Sequence, residues 1–88
     1  MDSYKFQKAC KEWLIAYYKA NFNKDISIED IFVVWSCKTL QNNKILMSTN
    51  IPDGIYVECT QNGDKQETYF DIYQKRENIK VVNEVLIY

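Results

Sequence analysis

The spacing of apolar residues changes once along this chain, from a helical repeat to a two-residue alternation near residue 30. That change fixes the order of its structure: a helix first, strands afterwards. At 100° per residue, residues 4–22 place Phe6, Ala9, Cys10, Trp13, Ala16, Tyr17 and Ala20 on one broad face, with Lys8, Lys11, Glu12 and Lys19 opposite. Ser3 is the expected N-cap, and Ile15 stands alone within the polar arc. Residues 21–30 are polar, and Ser27-Ile28-Glu29-Asp30 has the pattern of one capped turn.

From Ile31 onward the chain reads as strands joined by short turns. Residues 31–40 are rich in β-branched and aromatic side chains. Their start, Ile31 to Trp35, is apolar on both parities, the signature of a central strand covered on both faces. Gln41-Asn42-Asn43, Pro52-Asp53-Gly54 and Asn62-Gly63 read as turns. They divide the rest into strands at residues 44–49, 55–60 and 66–74, with a fifth expected over 79–88. The expected architecture is α+β: an N-terminal helix packed on a four- to five-stranded antiparallel meander, with residues 1–88 forming a single domain. Helix followed by curved meander is also the order of cystatin-like folds, a likeness of architecture from which no function follows.

A two-residue loop at Asn62-Gly63 sets Tyr56 opposite Tyr69, Glu58 opposite Glu67 and Val57 opposite Thr68. The Val57 and Phe70 parity is the more apolar and is expected beneath the helix. Tyr56, Tyr69 and Tyr73 then share the face that points away from it. Tyrosine offers a large contact area at low entropic cost, so these three are the candidate binding residues. The plainer explanation is that tyrosine suits strands.

Function classes are narrowed mostly by what the sequence lacks. There is no histidine, which removes the commonest general base and the usual triads. Two glycines cannot build a phosphate loop. Cys10, Cys37 and Cys59 have no CxxC spacing, and all three fall on core parity, so they are expected to be reduced, buried and metal-free. Glu58, Glu67 and Asp71 lie on the outer sheet parity, where a carboxylate pair could raise one pKa; an ordinary exposed pair accounts for them as well. No catalytic residue, cofactor or metal is expected.

Charge is divided unevenly. Residues 1–24 carry five lysines against two acids, while the remainder carries six basic and ten acidic groups. Acidic surroundings for the tyrosines argue against single-stranded nucleic acid, although stacking rings are its usual platform. The helical lysines are expected to form a solvated face. No run approaches the ~18–20 apolar residues that cross a bilayer, and MDSYKFQKAC has no apolar leader core, so a cytoplasmic protein is expected.

The stretch IFVVWSCKTLQNNKILMST from residue 31, with PDG at 52–54 and NGDKQE at 62–67, resembles a family of small uncharacterised proteins encoded by phages and prophages of Gram-positive bacteria. The resemblance implies a cytoplasmic protein made in an infected host, and it implies no activity. The expected function is therefore that of a non-enzymatic accessory protein which binds a host protein, in host take-over or counter-defence, or binds itself as a homo-oligomer. The alternatives are a binder that sequesters a signalling nucleotide between protomers, which having Arg76 as the only arginine disfavours, and a single-strand nucleic-acid binder.

Overall fold

A computed structural model describes residues 3–85. Helix α1 covers Ser3–Phe22, and a 3-10 turn covers Ile28–Asp30. Four strands follow: β1 (Ile31–Thr39), β2 (Asn42–Thr49), β3 (Ile55–Asn62) and β4 (Glu67–Gln74). They pair antiparallel in sequence order, β1-β2-β3-β4. The architecture is α+β, with one helix laid on one face of a four-stranded meander.

The helix starts at Ser3, one residue before the expected first turn, so the position of its cap lies outside the described residues. Its buried stripe is Phe6, Cys10, Leu14 and Tyr18, spaced by four residues. Trp13, Tyr17 and Ile15 flank that stripe and pack partly on the core. The expected face was centred on Trp13 with Ala9, Ala16 and Ala20 along one edge, but these three alanines are exposed. Burying a leucine and a tyrosine removes far more apolar surface from water than burying three methyl groups, so the helix turns its heavier side inward. The same rotation brings Ile15 out of the polar arc and onto the core edge.

The capped turn forms as expected. The Ser27 backbone N–H donates to Asp30 Oδ2 at 2.9 Å, and Asp30 N–H donates to the Ser27 carbonyl at 3.0 Å. Asn50 Nδ2 also donates to Asp30 Oδ1. The Ser27 backbone bond, followed by the Asn50 and Ser27 side chains, holds the Asp30 carboxyl below the usual carboxylate range.

The inner sheet face supplies the other half of the core. Ile45, Met47, Ile55, Val57 and Cys59 alternate inward on β2 and β3, beneath α1. Trp13 joins the helix to β4 by stacking on Phe70, with ring centroids 3.8 Å apart and planes 9° off parallel.

Strand β1 departs from expectation. It is an edge strand, not a central one, and a bulge interrupts its register: Val33 pairs with Met47, but Trp35 pairs with Leu46. The extra residue, Val34, reverses the parity of everything after it. Trp35 and Cys37, on core parity before the bulge is counted, therefore point to the outer face. Cys10 and Cys59 are buried as expected, but Cys37 is exposed.

The turns also differ in detail. The first hairpin closes through Leu40 and Gln41, with Leu40 at φ 56°, and Asn42 and Asn43 join β2. Asn43 is buried and donates to Gln61 Oε1 at 2.8 Å. Asn62-Gly63 does not form a two-residue loop. The Asn62 side-chain oxygen accepts from the N–H groups of Asp64 and Lys65, which stretches the loop to residues 63–66 and moves the left-handed position to Gln66 at φ 57°. Gly63 is needed for room: a Cβ there would lie 2.3 Å from the Gln41 carbonyl oxygen. Tyr56 consequently pairs with Tyr73, Thr60 with Tyr69 and Glu58 with Asp71. This shift of four residues changes partners but not faces.

Gly54, at φ 72°, supplies the left-handed position of the turn after Pro52, as expected. No strand forms over residues 75–85, where Ile79, Val81, Val82 and Val85 are exposed. The rest of the expected fifth strand lies outside the described residues.

Candidate binding face

One side of the sheet carries α1, and the other carries nothing among the described residues. The register lays out that outer face in rows across the strands. One row is Phe32–Ser48–Tyr56–Tyr73; the next is Trp35–Leu46–Glu58–Asp71; the third is Cys37–Lys44–Thr60–Tyr69. With strands about 4.8 Å apart, each row spans roughly 14 Å.

All three expected tyrosines stand on this face. Tyr69 and Tyr73 are 53% and 51% exposed, and Tyr56, flanked by β2 and β4, is half-buried. The structure adds Phe32 at 49% and Trp35 at 41%, with the half-buried Leu46 between strands. These three were missed as site residues, although their signal was in view. The run from Ile31 to Trp35 is apolar on both parities because the outer face is itself apolar there, not because a second layer covers it. Six large apolar or aromatic side chains thus share a surface that a solvated sheet would fill with polar groups.

The charges on the face are unbalanced. Glu58, Asp71 and Glu67 stand there beside Lys44, whose Nζ lies 3.5 Å from Glu58 Oε1. The Tyr69 hydroxyl donates to the Glu67 carboxylate. That hydrogen bond, and the negative charge behind it, push the Tyr69 phenol above its ordinary value. Acidic groups around exposed rings oppose a phosphate backbone and suit a partner with apolar and basic groups.

The inner face turns polar beyond the helix. A cleft of about 250 Å³ is lined by Lys38, Gln41, Asn43, Gln61, Gln66 and Thr68. It lies at the small end of ligand pockets and holds one cation, Lys38, a poor match to a nucleotide's phosphates. Among the described residues no group of three or more cysteine or carboxylate side chains is placed to hold a metal. No described helix is long and apolar enough to cross a membrane.

A sequence model for a family of unknown function (DUF6275) matches residues 7–83. The chain belongs to that family. The match runs through the helix, all four strands and most of the segment after them. No curated protein and no solved structure matches.

Proposed function

We propose that this protein is a non-enzymatic binding module, and that the outer face of its sheet takes a protein surface rich in apolar and basic groups. The observation that carries this reading is the uncovered outer face, with Phe32, Trp35, Leu46, Tyr56, Tyr69 and Tyr73 on adjoining rows. Aromatic side chains at the centre of an interface supply most of its energy, and a flat sheet presents them in fixed positions. The resemblance to phage and prophage proteins supplies the setting: the cytoplasm of an infected bacterium, with a host protein as the target in take-over or counter-defence.

The test pairs capture with a change on the face. The tagged wild-type chain is used to capture proteins from host lysate, beside the double variant Trp35→Ser/Tyr56→Ser. Both side chains point away from the core, so the variant is expected to stay folded and to lose the captured protein. Equal recovery by a folded variant would remove the outer face from binding. Recovery of a nucleotide or of single-stranded DNA in place of a protein would favour the corresponding alternative.

A further inference from the structure

The two edges of this sheet are not alike. At the β1 edge the bulge at Val34 breaks the ladder, and Lys38 adds a charge near the tip. Both are devices that discourage a further strand from pairing. The β4 edge has no bulge, and its two charges, Glu67 and Asp71, are carboxylates on the outer face. Its eight residues, Glu67–Gln74, contain no proline, lysine or glycine, and the ladder with β3 runs unbroken along the whole length.

The direction of the unpaired backbone groups follows from one bond. The Lys75 N–H donates to the Gly54 carbonyl at 2.7 Å, extending the β3–β4 register by one pair. In an antiparallel ladder the groups alternate sides, so residues 67, 69, 71 and 73 face β3. Thr68, Phe70, Ile72 and Gln74 direct their N–H and C=O groups outward, where no strand among the described residues meets them. The side chains here are also short of cover. The helix lies over β1 and β2 and reaches β4 through Trp13 on Phe70. Ile72 faces inward, opposite Val57, yet is 37% exposed.

We infer that β4 pairs with β4 of a second copy, antiparallel, about a two-fold axis through Phe70, giving a continuous eight-stranded sheet. Self-complementarity of the strand selects both the partner and the register. Centring on Phe70 sets Phe70 against its symmetry mate and Ile72 against Thr68. On the outer face it sets Tyr69 against Asp71 and Tyr73 against Glu67. Every carboxylate of β4 then stands opposite a tyrosine and none opposite another carboxylate. Centring on Asp71 would oppose two Asp71 carboxylates, and centring on Tyr69 would oppose Glu67 and Asp71, both unfavourable. The contact is isologous and closes at two copies, because the strands left at the outer ends are the bulged β1 edges. The contact runs along the β4 edge, with Tyr69 and Tyr73 of the outer face at its seam, while Trp35 and Tyr56 stand on β1 and β3, outside it.

The experiment is sedimentation equilibrium over a concentration series, on wild type and on Thr68→Pro. Thr68 directs its N–H outward, so proline there removes an intermolecular bond and leaves the β3–β4 ladder intact. Wild type is expected to approach twice the 10.5 kDa of one chain. Thr68→Pro should dissociate roughly tenfold or more readily, with an unchanged melting curve at dilutions where both proteins are single chains and unchanged capture of an outer-face partner. Trp35→Ser/Tyr56→Ser should do the reverse, losing capture and keeping the dimer. Should Thr68→Pro unfold, a wild-type sample mixed from isotope-labelled and unlabelled chains decides the matter, through Overhauser contacts between Thr68 of one copy and Ile72 of the other. A single-chain mass at every concentration, a folded Thr68→Pro that still pairs, or a dimer without those contacts overturns the inference.

Discussion

Tyr18 shows how one side chain serves two parts of this fold. Its ring is buried against α1's neighbours, and its hydroxyl donates to Asp53 Oδ2 at 2.5 Å in the turn after Pro52. Burial first, and then the hydrogen bond to the Asp53 carboxylate, push its phenol up to about 12. The unfolded chain would ionise near the ordinary value of 10.0. Folding therefore holds this proton more tightly, and the associated stability is complete below pH 10 and lost as pH rises towards 12. Denaturant melts across that window should show a decline on the order of 2 kcal/mol that Tyr18→Phe does not share. At neutral pH the same variant should cost about 1–2 kcal/mol, since it leaves Asp53 Oδ2 without its donor while Oδ1 keeps the Ile55 N–H. Parallel pH curves for the two proteins would show that the Tyr18–Asp53 bond does not form in solution. None of this was legible beforehand, because the helix period left Tyr18 off the expected core face and nothing local links it to Asp53, thirty-five residues away.

At the scale of elements, the sequence was most readable where local chemistry decides the structure. The Ser27–Asp30 turn, Gly54 and the helix itself all follow from capping, φ preference and period. It was least readable where a single extra residue acts at a distance. No glycine or proline marks the bulge at Val34, and yet it decides that Trp35 and Cys37 face outward. Asn62-Gly63 misled in the opposite way: the strongest short hairpin signal in the chain gave way to an asparagine side chain that holds a longer loop. Because the β3–β4 register shifted by an even number of residues, the three tyrosines kept their face. The bulge has a direct consequence for thiol chemistry. Cys37 should react with a thiol reagent in the native protein at close to the rate of a free thiol, while Cys10 and Cys59 react only in denaturant. Cys59, fully buried beside Cys10, is further protected because that neighbour and the burial itself push its thiol up. A native Cys37 as slow as the other two would put it back on core parity and remove the bulge.

Across the whole molecule, apolar surface is distributed in a way that a lone helix-on-sheet unit does not require. One helix can shield only one face of a sheet, so the outer face stays open, and so does the segment that follows β4. That segment has the alternating, β-branched character of a strand, and the expectation of a fifth strand rested on it. A strand also needs a neighbouring edge, and residues 75–82 do not pair with the β4 edge beside which the chain leaves the sheet. Ile79, Val81 and Val82 are 73%, 46% and 51% exposed, so little of their apolar surface leaves water on folding. Replacing all three by serine should therefore change the unfolding free energy by no more than about 0.5 kcal/mol per site, with an unchanged denaturant slope. If they instead completed the sheet, each truncation of a buried aliphatic would cost several times more, and the slope would fall as less surface became available to expose. A chemical denaturation series on Ile79→Ser/Val81→Ser/Val82→Ser separates the two cases. A large loss would mean that the chain closes its own β4 edge in solution, which would also leave no room there for a second copy.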